Sequence, residues 1–398
     1  MSDVALKNVL GAEFRAHPAY HLTLFDRLPA EQQELLKDLT KGPDFYGVLL
    51  PREGNTRNMK SVCRDTALLF LTLSQPGPLP AYVRTSLGET CNQAVAELVL
   101  EGVLEIASEG GFVCGPAAYD LIYGEQPRAE AKGTLEQLAQ AALEYAQVLD
   151  IDDSARLSAR LYFYNRWPLS LRWRSRLPDK EAVAAFLGIG SGGANRRLLE
   201  RRWKMVNLPP ELDGWFMFAS RAGQVPKREA RRFKLYVSPQ PEFVQEAFEA
   251  VTQVLMESPA HHFKVGNNAS GLLRPDKIVI YIHDFEALQE TAKEIRRRLS
   301  GCPAQGVPFT AAINNDDGLV SWGIDPLAER TALAWQERES WRLWVTNRLA
   351  TALLAARGAQ TAGLQPWRYA LERLRLDNID TATWTPLASF GQPATTEG

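Results

Sequence analysis

Two periods of apolar residues alternate along this chain. Over 241–256 the apolar positions are Val244, Ala247, Phe248, Val251 and Leu255, the spacing of an amphipathic helix. Over 285–299 they are Phe285, Leu288, Ala292, Ile295 and Leu299. Asp284 stands at the N-cap, and Arg296, Arg297, Arg298 and Gly301 mark the end. Between and around these helices lie short apolar runs that predict strands: 215–220, 233–237, 263–265, 277–282, 309–312 and 319–322. Residues 215–220 and 233–237 read as a pair. Residues 157–164 also alternate like a strand, and 195–206 reads as a basic helix with Leu198, Leu199 and Trp203 on its apolar side.

The first 125 residues pattern differently. A short helix is predicted over 29–39, a strand over 45–50, a helix over 59–73 and a second over 92–100. Two short strands follow at 103–107 and 111–114, around Glu109-Gly110. Helix, turn, helix, hairpin is the order of a winged helix. The second helix carries Glu97 and Glu101 and no cation, the wrong sign for tracking phosphates along a duplex. A peptide-binding or structural role is the reading for residues 1–125. A polar linker with Pro127 follows over 125–132, then an α+β region over 134–330 and a helical extension over 331–398 with a frayed tail. The expected fold class is α+β throughout.

Composition narrows the picture. The chain has 398 residues, 45% hydrophobic and 23% charged, with a net charge of -2. Those values suit ordinary globular domains and exclude a strongly basic nucleic-acid binder. The four cysteines have no Cys-x-x-Cys spacing, so no zinc knuckle and no disulfide framework is expected. No signal pattern or bilayer-length apolar run is read, and the expected location is cytoplasmic. Gly188, Gly190 and Gly193 have dinucleotide-loop spacing, but no strand precedes them, and the segment reads as a flexible connection. No kinase signature is present. The segment YNRWPLSLRWRSR, with Arg166, Arg172, Arg174 and Arg176 among Trp167 and Trp173, reads in three ways. Its rings enter a core and its arginines stay wet, or it stacks on bases, or its guanidinium groups line a phosphopeptide groove.

The stretch 231–325 carries the candidate chemistry. Lys234 and Lys264 each follow a phenylalanine on a predicted strand, so each side chain points away from that ring. Two ammonium groups converging on one face disfavour each other's charge, and partial burial adds to this. One of them then titrates low enough to serve as a base. Arg274 offers a planar fork for an oxyanion. Asn267, Asn268, Ser270 and the backbone around Gly266 and Gly271 supply donors for an anion nest. The competing reading has the lysines as edge-strand solubilisers and Arg274 paired with Asp276.

The order of these motifs resembles the phosphothreonine lyase superfamily. A strand with Lys234 and Tyr236 is followed by a helix, a strand with Phe263-Lys264, a polar loop with Arg274, and a strand ending near Tyr281. The segment 263–282 is also similar to HopA1-type effectors and their relatives in lanthipeptide-like, ribosomal-peptide biosynthesis clusters. The resemblance spans about 231–326. It implies a β-elimination of phosphate from phosphoserine or phosphothreonine, with no cofactor and no metal. It implies Lys264 as the base that takes the α-proton and Lys234 as the cation that stabilises the enolate. Tyr236 stands where the family often has the histidine that protonates the leaving group; His262 and His283 are the nearby alternatives. Arg274, Tyr281, Asn268 and Lys277 are the phosphate-binding candidates. The late arginines of the family are missing from FTAAINNDDGLVSWGIDP, and Arg166, Arg172 or Arg176 stand in for them in this reading. The implied partners are a phosphorylated precursor peptide, a separate kinase and a cyclase, with no nucleic acid and no membrane. A non-catalytic peptide-binding subunit is the second reading, and a nucleic-acid-binding regulator the third.

Overall fold

The computed structural model describes residues 6–42, 44–54, 58–123, 133–207, 214–222, 232–313, 318–326, 339–359 and 363–387. The linker expected over 125–132 lies outside them. The chain divides into two compact units. The first is built on Met1–Ala129 and takes in Thr351–Leu376. The second is built on Glu130–Leu327, with Glu339–Ala350 and Asp377–Gly398. The helical extension expected over 331–398 is thus shared between the two units. Both units are α+β with antiparallel sheets.

In the first unit, the helices Arg64–Thr72, Ala81–Leu87 and Cys91–Leu100 are followed by the hairpin Leu104–Ser108 and Gly111–Val113. The helix expected over 59–73 begins instead with a strand, Lys60–Cys63, which extends a three-stranded sheet. The hairpin belongs to a second sheet, in which the strand Glu13–Ala16 pairs with Leu104–Ser108 and with Gly77–Pro78. Gly111–Val113 is the edge of that sheet. Glu101 does not lack a cation, as the sequence reading had it. Its carboxylate pairs with Lys60 at 3.0 Å and with Arg373 from the helix Pro366–Leu376. Both partners are distant in sequence, so local spacing gave no sign of them.

The second unit holds a seven-stranded antiparallel sheet. Its spatial order is Ala311–Ala312, Val320–Ile324, Phe233–Val237, Ile278–Ile282, His262–Gly266, Trp215–Ser220, Trp203–Val206. Trp215–Ser220 and Phe233–Val237 are therefore not paired; two strands separate them. The register sorts side chains cleanly between the faces. Leu235 lies opposite Ile280 and Trp322, and Phe263 opposite Ile280 and Phe218. That face is apolar and buried. Phe218 and Phe263 stack on it at 4.5 Å, and the Phe285 and Trp322 rings meet at a tilt of 59°, 4.8 Å apart. The helices Val244–Leu255 and Phe285–Arg298 each turn a buried stripe inward.

In the second unit, two segments took a different structure from the expected one. Residues 157–164 are not a strand: Ser154–Tyr162 is a helix. The Asp153 side chain accepts the Arg156 N–H at 2.7 Å as its N-cap, and Leu157, Ser158 and Leu161 are buried on one side. Residues 195–206 split into a short helix, Ala194–Leu199, and the edge strand Trp203–Val206. Trp203 is drawn into the sheet core against Phe263. In both places a short apolar pattern fits either period, and tertiary packing chose.

Candidate active site

The sheet's other face carries the lysines. Lys234 lies opposite Tyr281 on one side and Gly323 on the other. Lys264 lies opposite Val279 and Met217, and Tyr236 opposite Val279 and Ser321. The strands of Lys234 and Lys264 are not neighbours; Ile278–Ile282 runs between them. Because side chains alternate with period two, the odd-numbered residues of that middle strand place both lysines on one face. His262 shares this face, opposite Tyr281, whereas His283 lies past the strand end and stacks on His261 at 3.9 Å.

The two ammonium groups stand in different environments. Lys234 is 7% exposed, and its Nζ lies 2.6 Å from Asp325 Oδ1. Burial lowers its pKa while Asp325 pulls the other way. Asp325 Oδ1 also accepts the backbone N–H of Trp341 at 3.0 Å, at the start of the helix Trp341–Ala359. The indole of Trp341 covers Gly323, where a Cβ would meet its Cδ1 at 2.5 Å. Only glycine admits that ring beside Lys234.

Lys264 is half-buried and has no carboxylate partner or hydrogen bond among the described residues. Its Nζ sits 4.0 Å over the Trp215 ring. Burial, then repulsion from Lys234, push it down to about 8. A lysine in that range holds a useful fraction of free amine near neutral pH. Lys234, held against Asp325, is the member of the pair that keeps a carboxylate beside it. The two ammonium groups thus differ in whether a carboxylate stands beside them.

Beside Lys264 lies a buried charge cluster built on Asp276, which is 3% exposed. Arg274 grips it bidentately, Nε to Oδ1 at 2.8 Å and Nη2 to Oδ2 at 2.9 Å. Arg342 Nη1 lies 3.0 Å from Oδ2, and the Tyr162 hydroxyl donates to the same oxygen at 3.1 Å. Burial works against the ionised form, but Arg342 and Arg274 outweigh it and hold this carboxyl well below its usual range. The Arg274 guanidinium also lies 4.7 Å from the Trp215 ring and 5.0 Å from that of Phe163. Lys234, Lys264, Arg274 and Arg342 face two carboxylates, Asp276 and Asp325. The face therefore carries an excess of positive charge that suits an oxyanion.

The predicted residues fare unequally. Lys234, Lys264, Arg274, Tyr236 and Tyr281 share one region of the sheet. Burial raises Tyr236 and Tyr281 well above the ordinary tyrosine value, so both hydroxyls keep their protons. Lys277 is not brought to the open side. It is fully buried, donating to the Pro239 carbonyl at 2.7 Å and to Gln305 Oε1 at 2.6 Å. Asn268 is exposed and caps the one-turn helix Ala269–Leu272, accepting from Gly271 N–H at 2.8 Å. Its side-chain oxygen is thereby used within the loop.

Sequence reasoning missed Asp325, Arg342, Tyr162 and Trp215. Arg342, from beyond 326, lies against the Asp276 carboxylate. The signal was present. Arg342 falls at i of the buried stripe Val345, Thr346 and Leu349, a charge at a core position. Of the three upstream arginines, Arg166 is the one that reaches the neighbourhood of Arg274. Arg176 packs over Trp173 and Phe186.

A second cluster of ligating atoms, His17, Glu105 and Cys114, lies in the first unit within 4.8 Å. His17 Nδ1 accepts the Ala19 N–H at 3.1 Å, so Nε2 carries the ring proton and faces Glu105 at 3.7 Å. Arg15 pairs with the same carboxylate at 2.5 Å. The His17 and Glu105 donor atoms are thus engaged with each other and with neighbouring groups.

The structure is similar to bacterial effectors and phosphothreonine lyases. The effector protein from Pseudomonas syringae pv. syringae strain 61 matches 65% of this chain and 100% of its own, at 13% identity and a TM-score of 0.41. The phosphothreonine lyase effector VirA (SpvC) of Chromobacterium violaceum matches 52% and 99%, at 14% identity and 0.28. The type III effector and phosphothreonine lyase OspF of Shigella flexneri matches 31% and 69%, at 16% and 0.26. No family model and no curated protein matches the chain. No helix among the described residues is long and apolar enough to cross a membrane.

Proposed function

We propose that the lysine face eliminates phosphate from a phosphoserine or phosphothreonine in a peptide. The observation that carries this reading is Lys264: half-buried, without a carboxylate partner among the described residues, and pushed down to about 8 beside a second lysine that has one. As free amine, Lys264 takes the Cα proton. The C–H electron pair forms the Cα–Cβ double bond, the Cβ–O bond breaks, and phosphate departs with that bond's electrons. Lys234 faces the carbonyl, where negative charge builds during proton removal. Arg274, with Arg342 behind it, faces the departing phosphate. A dehydroamino acid remains. The proposed setting is the maturation of a ribosomal peptide, where a separate kinase supplies the phosphate and a cyclase consumes the alkene. In that setting the first unit acts as a winged-helix-like holder of the unmodified part of the peptide. Its edge strand Gly111–Val113 offers backbone groups for strand addition.

Two features favour a second reading, a non-catalytic subunit that presents the peptide. The Arg274 fork is already occupied by Asp276, and Tyr236 takes the place of a histidine acid. One measurement separates the readings. Native protein is incubated with a phosphothreonine peptide, and the mixture is followed by mass spectrometry and an orthophosphate assay. The lyase reading expects loss of the elements of phosphoric acid, abolished in Lys264→Ala. Tight phosphopeptide binding with an unchanged peptide mass establishes the presenting role instead.

A further inference from the structure

A run of alternating cations and rings leads outward from Lys264. Lys264 lies over Trp215, Arg274 lies between Trp215 and Phe163, and Arg166 lies over Phe163 at 5.8 Å. The inner groups are buried or half-buried, whereas Phe163 and Trp167 are each 37% exposed and Arg166 is exposed. Among the described residues the Arg166 guanidinium makes no ion pair and no hydrogen bond. Arg274, a like charge, lowers its pKa further after burial. Arg274 is already held by Asp276, so of these two guanidinium groups Arg166 is the one without an anion beside it among the described residues.

The backbone holds Arg166 in this position. Asn165 adopts a left-handed conformation, φ 67°, which costs a non-glycine residue about 1 kcal/mol or more. Its amide donates to the carbonyls of Gln305 at 2.5 Å and Gly306 at 3.2 Å. Gln305 Nε2 returns bonds to the carbonyls of Asn165 and Leu273, and the Trp167 N–H donates to Leu273 at 3.1 Å. The turn that carries Arg166 is thus strapped to the loop that carries Arg274. A solvated surface arginine needs no such strap.

We propose that Arg166, with the exposed ring of Phe163, forms a specificity subsite for a carboxylate side chain flanking the phosphorylated residue. The substrate class is then an acidic phosphopeptide. The inference rests on the lyase-type reading for the position of the phosphate near Arg274 and Lys264. An extended peptide advances about 3.3 Å per residue, so a residue one to three positions away reaches the next cation of the run.

Phosphothreonine peptides that differ only in carrying Glu, Ala or Lys two residues to either side test the subsite. Binding is measured by calorimetry and turnover by phosphate release, for the native full chain, Arg166→Ala and Arg166→Lys. The expected result is that Glu peptides bind native protein about five- to tenfold more tightly than Lys peptides. The gap closes in Arg166→Ala, is partly kept in Arg166→Lys, and appears in KM rather than kcat. Affinity for the Ala peptide falls less than affinity for the Glu peptide. A gap that survives in Arg166→Ala overturns the proposal, and so does an absence of binding by every peptide. An equal loss for all three peptides also overturns it, by assigning Arg166 to the phosphate itself. Charge-selective binding without phosphate release leaves the subsite standing and removes the lyase reading.

Discussion

Replacing Lys264 with methionine should make the protein more stable and catalytically dead. Methionine keeps the length and packing of the side chain over Trp215 and removes only the ammonium. The cost of that ammonium follows from its titration. It is pushed from 10.5 to about 8, so the folded state releases its proton more readily than the unfolded chain. Between those values the unfolded state binds more protons, and stability rises with pH. Below about 8 the full penalty is present. The gap corresponds to about 3 kcal/mol at about 1.4 kcal/mol per pH unit. Lys264 is partly exposed, and solvent screening reduces this to about 1–2 kcal/mol. Urea unfolding at pH 7 should therefore show Lys264→Met more stable than native by about 1–2 kcal/mol. The advantage should shrink as pH rises above about 8 and be gone by 10.5. If Lys264→Met is less stable than native at pH 7, or its advantage is independent of pH, Lys264 is an ordinary solvated lysine. The assignment of the base then fails whatever the activity assays show.

Two further predictions concern the scaffold of the site. Asp276→Asn leaves Arg342 buried without its carboxylate and should cost about 3–5 kcal/mol at pH 7 by urea unfolding. Because the Asp276 carboxyl is held below its ordinary 3.8, the native advantage is fully present above that value and is lost as pH falls below it. A penalty that stays constant down through the acid range would show that Asp276 acts by packing alone. Gly323→Ala drives a methyl into the Trp341 indole and should cost about 1–3 kcal/mol in thermal or urea unfolding. A neutral effect would mean that the Trp341 ring yields easily and is not a fixed wall beside Lys234.

Much of the site was legible in the sequence because strand parity is a local property. The residues flanking Lys234 and Lys264 are apolar, so both lysines had to leave the apolar face. The 3.6-residue periodicity set the helices Val244–Leu255 and Phe285–Arg298, with the Asp284 cap on the second, for the same reason: the information lies within one or two turns. What the sequence alone did not decide is everything that depends on partners far along the chain. Strand order is one case: Ile278–Ile282 lies between the two lysine strands, and only long-range pairing fixes that. The helix Ser154–Tyr162 is another, because a short apolar run fits two periods and its packing surroundings choose between them. Charge pairing is the third. Asp276 gathers Arg274 from two residues away but Arg342 and Tyr162 from distant segments, and Lys234 finds Asp325 from another strand's end. Whether a lysine becomes a base depends on burial and on the nearest charges. Both are sums over the folded neighbourhood, so only tertiary structure lowers Lys264 without a carboxylate partner among the described residues and sets Asp325 beside Lys234.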